Sequence, residues 1–401
     1  MTPNGPRHPY NEDLYHKNPF IDPRGRRMYH VTLVVQKRQK LFGHLEGDIN
    51  AVKGTPDYPH IVYLPLGQEL ESIIYGTHDY YIDMGTDVTV ERLQVMPDHV
   101  HVLLFMRKES EIPIGQVVRH IKTKTTSFYK QQLIAQGVDI EAMERQLAKE
   151  LQEKMKEDRG YELSKTSSRT RPSLLWDKDP RNPKGYHEVP LTEEGQLETW
   201  HNYLIENPWR RMVMDQKREF FMRVMHIVIG THEYAAYGNI MLLRRPMKRA
   251  VMVHREAQRG QRDADGRLYP FGTPYIDTVQ YAQEYRDHMA AAREYTVLVG
   301  GWKSKGETRI FADACALGYD MIKIDPKPIT RDFKPQGREW RLCADGHLLY
   351  LSPWRLEEMG DYAGVPTDTD YSHFHNINTL AEEVAALDYR TGMTLVGGRR
   401  G

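Results

Sequence analysis

The segment Met96–Phe105 constrains the fold of this chain most, because it places two histidines inside an apolar, β-branched run. Side chains of a strand alternate between the two faces of a sheet. His99 and His101 are therefore predicted to share one face, with the apolar residue between them on the other. A proline–aspartate pair just before the run is a turn signal. Residues 88–95 alternate as a strand before that turn, so we expect an antiparallel hairpin.

Two neighbouring imidazoles can hold one divalent ion through their neutral ring nitrogens. The alternative is a pair of solvated histidines on a sheet face, since a short motif is only a hypothesis without its context. Imidazole combined with oxygen ligands suits Mg²⁺ or Mn²⁺. His99 and His101 are thus candidate metal ligands, and Mg²⁺ or Mn²⁺ is the expected cofactor.

Composition excludes several classes of protein. The 401 residues carry 55 basic and 55 acidic side chains, so a nucleic-acid surface must be a local patch. The two cysteines, Cys315 and Cys343, argue against a disulfide framework and against a thiolate zinc site. No signal-peptide core and no apolar run long enough for a membrane helix occur. We expect a cytoplasmic protein that does not bind a membrane.

The order of predicted elements indicates an α/β protein with two main domains. The first is expected to hold an antiparallel sheet. The second alternates strands and helices, which is typical of a doubly wound parallel sheet. The predicted segments are an arm (1–27), a first domain (28–218) with a charged insertion (about 138–172), a connector (219–245), a second domain (246–352) and a tail (353–401). A connecting helix is also predicted over 217–229, across the boundary between the first domain and the connector.

Residues 191–211 are predicted to contain the helix that carries a nucleophile. Thr192 is a plausible N-cap, and Pro208 favours a helix end near Asn207. Tyr203 and Asn207 lie four residues apart and so share a helix face. A phenol oxygen can attack phosphorus once it is activated, because its free pKa is about 10. The alternative for Tyr203 is a core aromatic.

A second predicted helix, over 112–136, carries a basic set that is a candidate for phosphate contact. A solvated helix face is the alternative explanation for these charges. Tyr129 on the same helix is a rival nucleophile. Together with two arginines after the predicted end of the Tyr203 helix, the candidate DNA-binding residues are Arg119, Lys122, Lys124, Arg210 and Arg211.

Met96–Leu104 resembles the histidine–hydrophobe–histidine signature of single-strand tyrosine transposases, and is most similar to the REP-associated tyrosine transposase branch. Tyr29–Thr32 resembles that branch's first strand, and Tyr203–Arg211 resembles its nucleophile helix. The resemblance covers about residues 28–212. It departs from compact members in the larger separation between the two motifs, mostly because of residues 138–172.

This resemblance implies a ferredoxin-like α/β core and single-stranded or hairpin DNA as the substrate. It also implies a covalent 5′-phosphotyrosine intermediate on Tyr203. The implied metal ligands are His99, His101 and Asn207.

A glycine-rich turn in the second half is a candidate nucleotide or anion site. Residues 301–308 nearly spell a phosphate-binding loop, but Glu307 occupies the lysine position, which excludes a nucleotide hydrolase. The alternative is a tight strand-to-helix turn that needs glycine. Residues 235–352 resemble the Rossmann-like domains of DNA-processing proteins and of the lysine-decarboxylase-like group. That resemblance implies a nucleotide or single-stranded nucleic-acid site at Gly300, Gly301, Ser304 and Glu307.

The sequence therefore predicts a metal-dependent tyrosine endonuclease and transposase, acting as a monomer or homodimer. Two alternatives stay open. One is a nucleic-acid-binding regulator without catalysis. The other is a nucleotide-binding module whose first domain is inactive.

Overall fold

The computed structural model describes residues 25–157, 173–177, 185–230, 232–325, 327, 329, 333–353, 371–388 and 393–395. The chain divides into two compact units, Met1–Met212 and Val213–Gly401. Parts of the predicted segments lie outside the described residues. These are most of the arm, residues 158–172 of the insertion, residues 354–370, 389–392 and 396–401 of the tail, and the short stretches 178–184, 231, 326, 328 and 330–332.

The first unit combines short strands with longer helices. Its strands are β1 (Arg27–Val34), β2 (Gly43–Glu46), β3 (His60–Tyr63), β4 (Val88–Met96), β5 (His99–Met106) and β6 (His187–Pro190). Its helices are α1 (Pro65–Tyr75), α2 (Thr77–Ile82), α3 (Ile114–Ala135), α4 (Ile140–Glu157) and α5 (Gln196–Gln216), the last of which extends past the boundary between the units.

Four of these strands form an antiparallel sheet in the order β4-β5-β1-β6. The predicted hairpin is therefore confirmed as β4 and β5. Val100, Val102 and Leu104 of β5 are at most 1% exposed and join an apolar core with α1 and α3. Burial of this alternate set directs the other side chains of β5, including His99 and His101, to the opposite face.

The second unit holds the remaining elements. Its strands are β7 (Met222–Ile229), β8 (His232–Gly238), β9 (Lys248–Ala250), β10 (Val297–Gly300), β11 (Met321–Ile324), β12 (Leu348–Ser352) and β13 (Met393–Leu395). Its helices are α6 (Val279–Arg293), α7 (Lys305–Leu317), α8 (Gly337–Ala344) and α9 (Tyr371–Ala385). No helix in the described part of the chain is long and apolar enough to cross a membrane.

The second sheet is mixed, in the order β13-β7-β8-β12-β11-β10-β9. Strands β9 to β12 are parallel, as predicted, whereas β8, β7 and β13 are added antiparallel. One face packs against α9, and the other packs against α6, α7 and α8. The predicted α/β class is thus confirmed, and the expectation of a purely parallel second sheet is corrected.

The residues predicted as a connector form part of this sheet, and the helix predicted over 217–229 is wrong. Residues 222–229 form β7 and pair with β8 across a bulge between Val224 and Ile227. Burial of Ile227 and Ile229 in the core favours extended backbone there. Gly238 ends β8 with a φ of 121°, and a Cβ at this position would lie 2.4 Å from the Leu348 carbonyl oxygen. Only glycine fits this close approach of two strands.

A histidine before β12 makes the stability of the second unit depend on pH. The Nδ1–H of His347 donates to Asp320 Oδ1 at 2.7 Å, and this hydrogen bond raises the pKa of His347 above 6.5, against the effect of burial. A raised pKa stabilises the fold fully below about pH 6.5, and this stabilisation is lost as the pH rises through the folded value. In urea unfolding between pH 6 and 8.5, we expect the wild type to lose more stability than His347→Gln. Equal pH dependence of the two proteins would contradict this prediction.

Candidate active site

The two predicted metal ligands lie on the sheet face opposite the α1–α3 core. The register of β1 with β5 sets Val34 opposite His99 and Thr32 opposite His101. The two imidazole rings are edge-to-face, with centroids 4.8 Å apart. The two histidines of the His-x-His pair therefore lie side by side on one face of the sheet.

The His99 ring is held by the residue that precedes it. Its Nδ1–H donates to Asp98 Oδ1 at 2.6 Å. Burial raises the pKa of Asp98, but the His99 hydrogen bond and the charges of Arg38 and Arg211 bring it down to about 2. Burial lowers the pKa of His99 in spite of the carboxylate, so the ring is neutral at pH 7. With its proton on Nδ1, the lone pair of His99 is on Nε2, the arrangement that metal-bound histidines show.

The His101 ring is oriented by β1. Its Nδ1 lies 3.0 Å from Thr32 Oγ1 and 3.1 Å from His30 Nε2. Burial, and to a smaller extent the charge of His187, lowers the pKa of His30 to about 3, so His30 is also neutral. A proton on Nδ1 of His101 satisfies these contacts and leaves the lone pair on Nε2, as for His99.

Helix α5 brings the predicted nucleophile to this face. The Trp200 ring stacks on His30 with centroids 3.7 Å apart. One turn later, the Tyr203 ring contacts His101 edge-to-face at 5.8 Å. The Trp209 indole N–H also donates to the Ile49 carbonyl at 3.0 Å, which anchors α5 to the loop between β2 and β3. The predicted nucleophile and the His-x-His pair thus meet within one chain.

Both predicted ends of this helix need correction. α5 begins at Gln196, not after Thr192, because Gly195 has a φ of 79° and the Gln196 side chain accepts the backbone N–H of Thr192 at 2.8 Å. It also continues through Pro208 to Gln216. Proline removes one hydrogen bond from a helix interior, but burial of residues on both sides, among them Leu204 and Met212, holds this helix together.

Continuation through Pro208 changes the position of the arginines. Tyr203, Asn207 and Arg211 are spaced four apart on one stripe of α5, and Arg210 lies beside them. The Arg210 guanidinium carbon lies 5.5 Å from the centre of the Tyr203 ring. The charge of Arg211 acts on Asp98. Both arginines therefore lie within the helix instead of following its end, with Arg210 over the Tyr203 ring and Arg211 near Asp98.

Asn207 is the third predicted ligand, and its amide is 8% exposed. Its Nδ2 is buried without a hydrogen-bond partner. Oxygen and nitrogen of an amide are interchangeable in such an assignment, so the same position suits an oxygen that faces a cation. The described residues contain no group of three or more His, Cys, Asp or Glu side chains arranged for a metal ion. Asn207 lies one helical turn after Tyr203, whose ring contacts His101, so it remains the candidate third ligand.

The basic residues predicted on α3 are not beside the histidines. α3 packs on the core face of the sheet, so Arg119 and Lys124 are exposed on the far side from the His-x-His pair. The Lys122 ammonium donates to the Gly185 carbonyl at 3.0 Å. Tyr129, the rival nucleophile, lies in the apolar core, and burial raises its pKa.

In the glycine-rich turn of the second unit, the Glu307 carboxylate accepts the backbone N–H groups around it. Ser304 and Glu307 form a reciprocal cap at the start of α7. Glu307 is 5% exposed and accepts backbone N–H groups from Val253 at 3.1 Å and from Lys303 at 2.7 Å. These are donors that an anion would need. A Cβ on Gly301 would lie 2.4 Å from an Ile377 methyl group, and one on Gly300 would lie 3.1 Å from the Val251 carbonyl oxygen. The geometry fits the tight-turn alternative.

Sequence reasoning missed the residues that support the site. Asp98, His30, Thr32 and Trp200 all contact a predicted site residue or its neighbour. Two signals were available. Asp98 directly precedes His99, and His30 and Thr32 alternate on a strand that could pair with the histidine strand.

Asp98 provides a test of this support. Asp98→Asn keeps an acceptor for the His99 N–H but removes the negative charge. We expect Mn²⁺ affinity to fall about 10- to 100-fold, which is the usual cost of losing a contact that orients a metal-binding histidine. Glu46→Gln is the matched control, because Glu46 pairs with His44 at 2.8 Å on an exposed hairpin. Isothermal titration with Mn²⁺ measures both variants, and equal affinities would contradict the prediction.

Comparison with known proteins adds little to this geometry. No protein-family profile and no curated protein match the chain. A solved structure from Deinococcus radiodurans R1, described as a "putative transposase", is similar at 13% identity. The similarity covers 48% of this chain and 95% of that chain, with a TM-score of 0.21. A TM-score this low leaves the site geometry as the basis for function.

Proposed function

We propose that this protein is a metal-dependent tyrosine endonuclease and transposase that cleaves and rejoins single-stranded or hairpin DNA. The supporting observation is the contact of the Tyr203 ring with His101, at 5.8 Å between centroids, on the face that also carries His99. A tyrosine beside an imidazole pair, with an arginine over its ring, suits attack on a phosphodiester.

In the proposed cleavage, the Tyr203 oxygen attacks the scissile phosphorus. A bond forms between phosphorus and Tyr203, and the bond to the 3′ oxygen breaks. The phenol loses its proton, and the departing 3′ oxygen keeps the electron pair and takes up a proton. The product is a 5′-phosphotyrosine and a free 3′ hydroxyl. Attack of a 3′ hydroxyl on the phosphotyrosine reverses these changes and joins the strands.

The residues around Tyr203 support this role electrostatically. A free phenol has a pKa of about 10, so its anion must be stabilised. The Arg210 guanidinium, 5.5 Å from the ring centre, favours that anion, and Arg211 adds positive charge for the phosphate. Stacking of Trp200 on His30 fixes the helix that carries Tyr203.

The proposed cofactor is Mg²⁺ or Mn²⁺. His99, His101 and Asn207 would hold it, while Asp98 and Thr32 orient the two rings. A bound cation would draw negative charge from the phosphate oxygens. The buried Nδ2 position of Asn207, which has no hydrogen-bond partner, is the observation that favours this ligand set.

The test is to map the covalent adduct on the wild-type protein. Labelled single-stranded hairpin DNA is incubated with Mn²⁺ or with a chelator, and adducts that survive denaturation are digested and sequenced by mass spectrometry. We expect a metal-dependent adduct on the peptide that contains Tyr203. An adduct on Tyr129, or one that forms with the chelator present, would contradict the mechanism. DNA binding without any adduct would favour a regulator.

A further inference from the structure

A hairpin with four arginines follows β9 in the second unit. Residues 255–275, here called the 255–275 hairpin, form two antiparallel arms held by backbone hydrogen bonds. Ala257 N–H donates to the Thr273 carbonyl at 2.9 Å, and Tyr269 N–H donates to the Gln261 carbonyl at 3.1 Å. The tip is closed by the Asp263 carboxylate, which accepts the N–H of Arg267 at 2.8 Å. The hairpin is therefore an ordered projection.

Its root is fixed to the helices of the second unit. Tyr275 is 1% exposed, and its hydroxyl donates to Glu284 of α6 at 2.5 Å. The Tyr269 hydroxyl accepts the N–H of Val279, the first residue of α6, at 3.0 Å. These contacts hold the hairpin in one position relative to the second sheet.

One aromatic ring is displayed on this hairpin. Phe271 is fully exposed, and Leu268 is 57% exposed. Phe271 occupies the corner of a turn in which Thr273 N–H donates to the Pro270 carbonyl at 3.2 Å and Gly272 has a φ of 80°. A turn with glycine at this position sets the direction of the residue before it. The ring is thus held in solvent by a specific turn and is not buried in the core.

The hairpin that carries this ring has a formal net charge of +1. The hairpin carries Arg255, Arg259, Arg262 and Arg267 against Glu256, Asp263 and Asp265. Within the tip, Asp263 accepts backbone N–H groups and Asp265 pairs with Arg267 at 3.6 Å. The Arg262 guanidinium donates to the Gly266 carbonyl at 2.6 Å, whereas Arg255 and Arg259 are exposed on the other arm. The root lies beside the turn that begins α7, since the N–H of Val253, two residues before the hairpin, donates to Glu307, and Lys305 of that turn is exposed.

We infer that the 255–275 hairpin binds single-stranded DNA, with Phe271 stacking on a base and the arginines contacting phosphates. Exposed aromatic rings among basic side chains are the combination that binds unpaired nucleotides. A duplex offers no unstacked base face to such a ring. The choice of DNA rests on the proposed function, whereas the surface itself does not include the Tyr203 site.

Binding is measured by fluorescence anisotropy with the full chain, a labelled oligo-dT of about 20 nucleotides, and a chelator to prevent cleavage. Phe271→Ala should weaken binding about 5- to 150-fold, the usual range for one stacked base. Arg259→Ala should weaken binding and reduce the salt slope by about 0.7, as expected for one phosphate contact on a single strand. The matched controls are Leu317→Ala and Arg293→Ala, on exposed residues at helix ends away from the hairpin.

Affinities equal to wild type in both hairpin variants would overturn the inference. If the hairpin substitutions weakened the binding of oligo-U more than the binding of oligo-dT, the assignment to DNA would be overturned. Adduct formation with Mn²⁺, read on the same preparations, separates the two proposals. If binding depends on the 255–275 hairpin but no adduct forms, only the proposed catalytic function is contradicted. If an adduct forms and the variants of the 255–275 hairpin bind DNA as the wild type does, only this inference is contradicted.

Discussion

Tyr203→Phe should reduce formation of the DNA adduct at least about 10³-fold, because loss of a covalent nucleophile removes the reaction path itself. The substitution deletes one oxygen and keeps the ring. The edge-to-face contact with His101 and the position under Arg210 are therefore preserved. Binding of single-stranded DNA should change little. The measurement is gel separation of labelled hairpin DNA after denaturation, with Mn²⁺ present.

Tyr129→Phe is the matched control for this variant. Tyr129 also lies on a long helix of the first unit, but it packs in the apolar core. We expect Tyr129→Phe to form the adduct at the wild-type rate. An adduct that persists in Tyr203→Phe and disappears in Tyr129→Phe would assign the nucleophile to α3 and would contradict the proposed site.

His101→Ala should remove most of the metal affinity, and with it the metal-dependent cleavage. Loss of a ligand is expected to exceed the about 10- to 100-fold cost of losing a supporting contact. The His101 ring also contacts Thr32, His30 and Tyr203, so the variant creates a cavity at the centre of the site. Mn²⁺ affinity from isothermal titration, at matched thermal stability, separates the loss of a ligand from a general loss of folding.

His44→Ala is the control for that measurement. His44 lies on the exposed β2–β3 hairpin and pairs with Glu46, so its loss should leave Mn²⁺ affinity and cleavage unchanged. If His101→Ala binds Mn²⁺ as tightly as His44→Ala, the His-x-His pair is not the metal site. The alternative from sequence, two histidines on a sheet face without a metal, would then stand.

The local pattern of the sequence determined much of the first unit. Alternation around Val100 predicted the face of His99 and His101, since the strand period is a property of the backbone. Spacing of four predicted that Tyr203 and Asn207 share a helix face, because 3.6 residues make a turn. These features depend on neighbours in sequence, and the structure agrees with them.

Other features were decided only by tertiary packing. Pro208 favours a helix end, yet α5 continues past it because its neighbours on both sides are buried. Arg210 therefore lies within the helix, beside Tyr203. The basic residues of α3 lie far from the histidines, because the apolar side of α3 packs on the opposite face of the sheet.

The second unit shows the same division. The glycines before a predicted helix indicated the tight turn at Gly300, and the structure places that turn between β10 and α7. Strand β7 was not predicted, because its extended form depends on pairing with β8 and on burial of Ile227. The role of Glu307 also depends on distant residues, since the Val253 N–H that it accepts comes from another loop. Sequence determined the elements with a local period, whereas contacts between residues far apart in the chain decided which faces meet and which charges stay exposed.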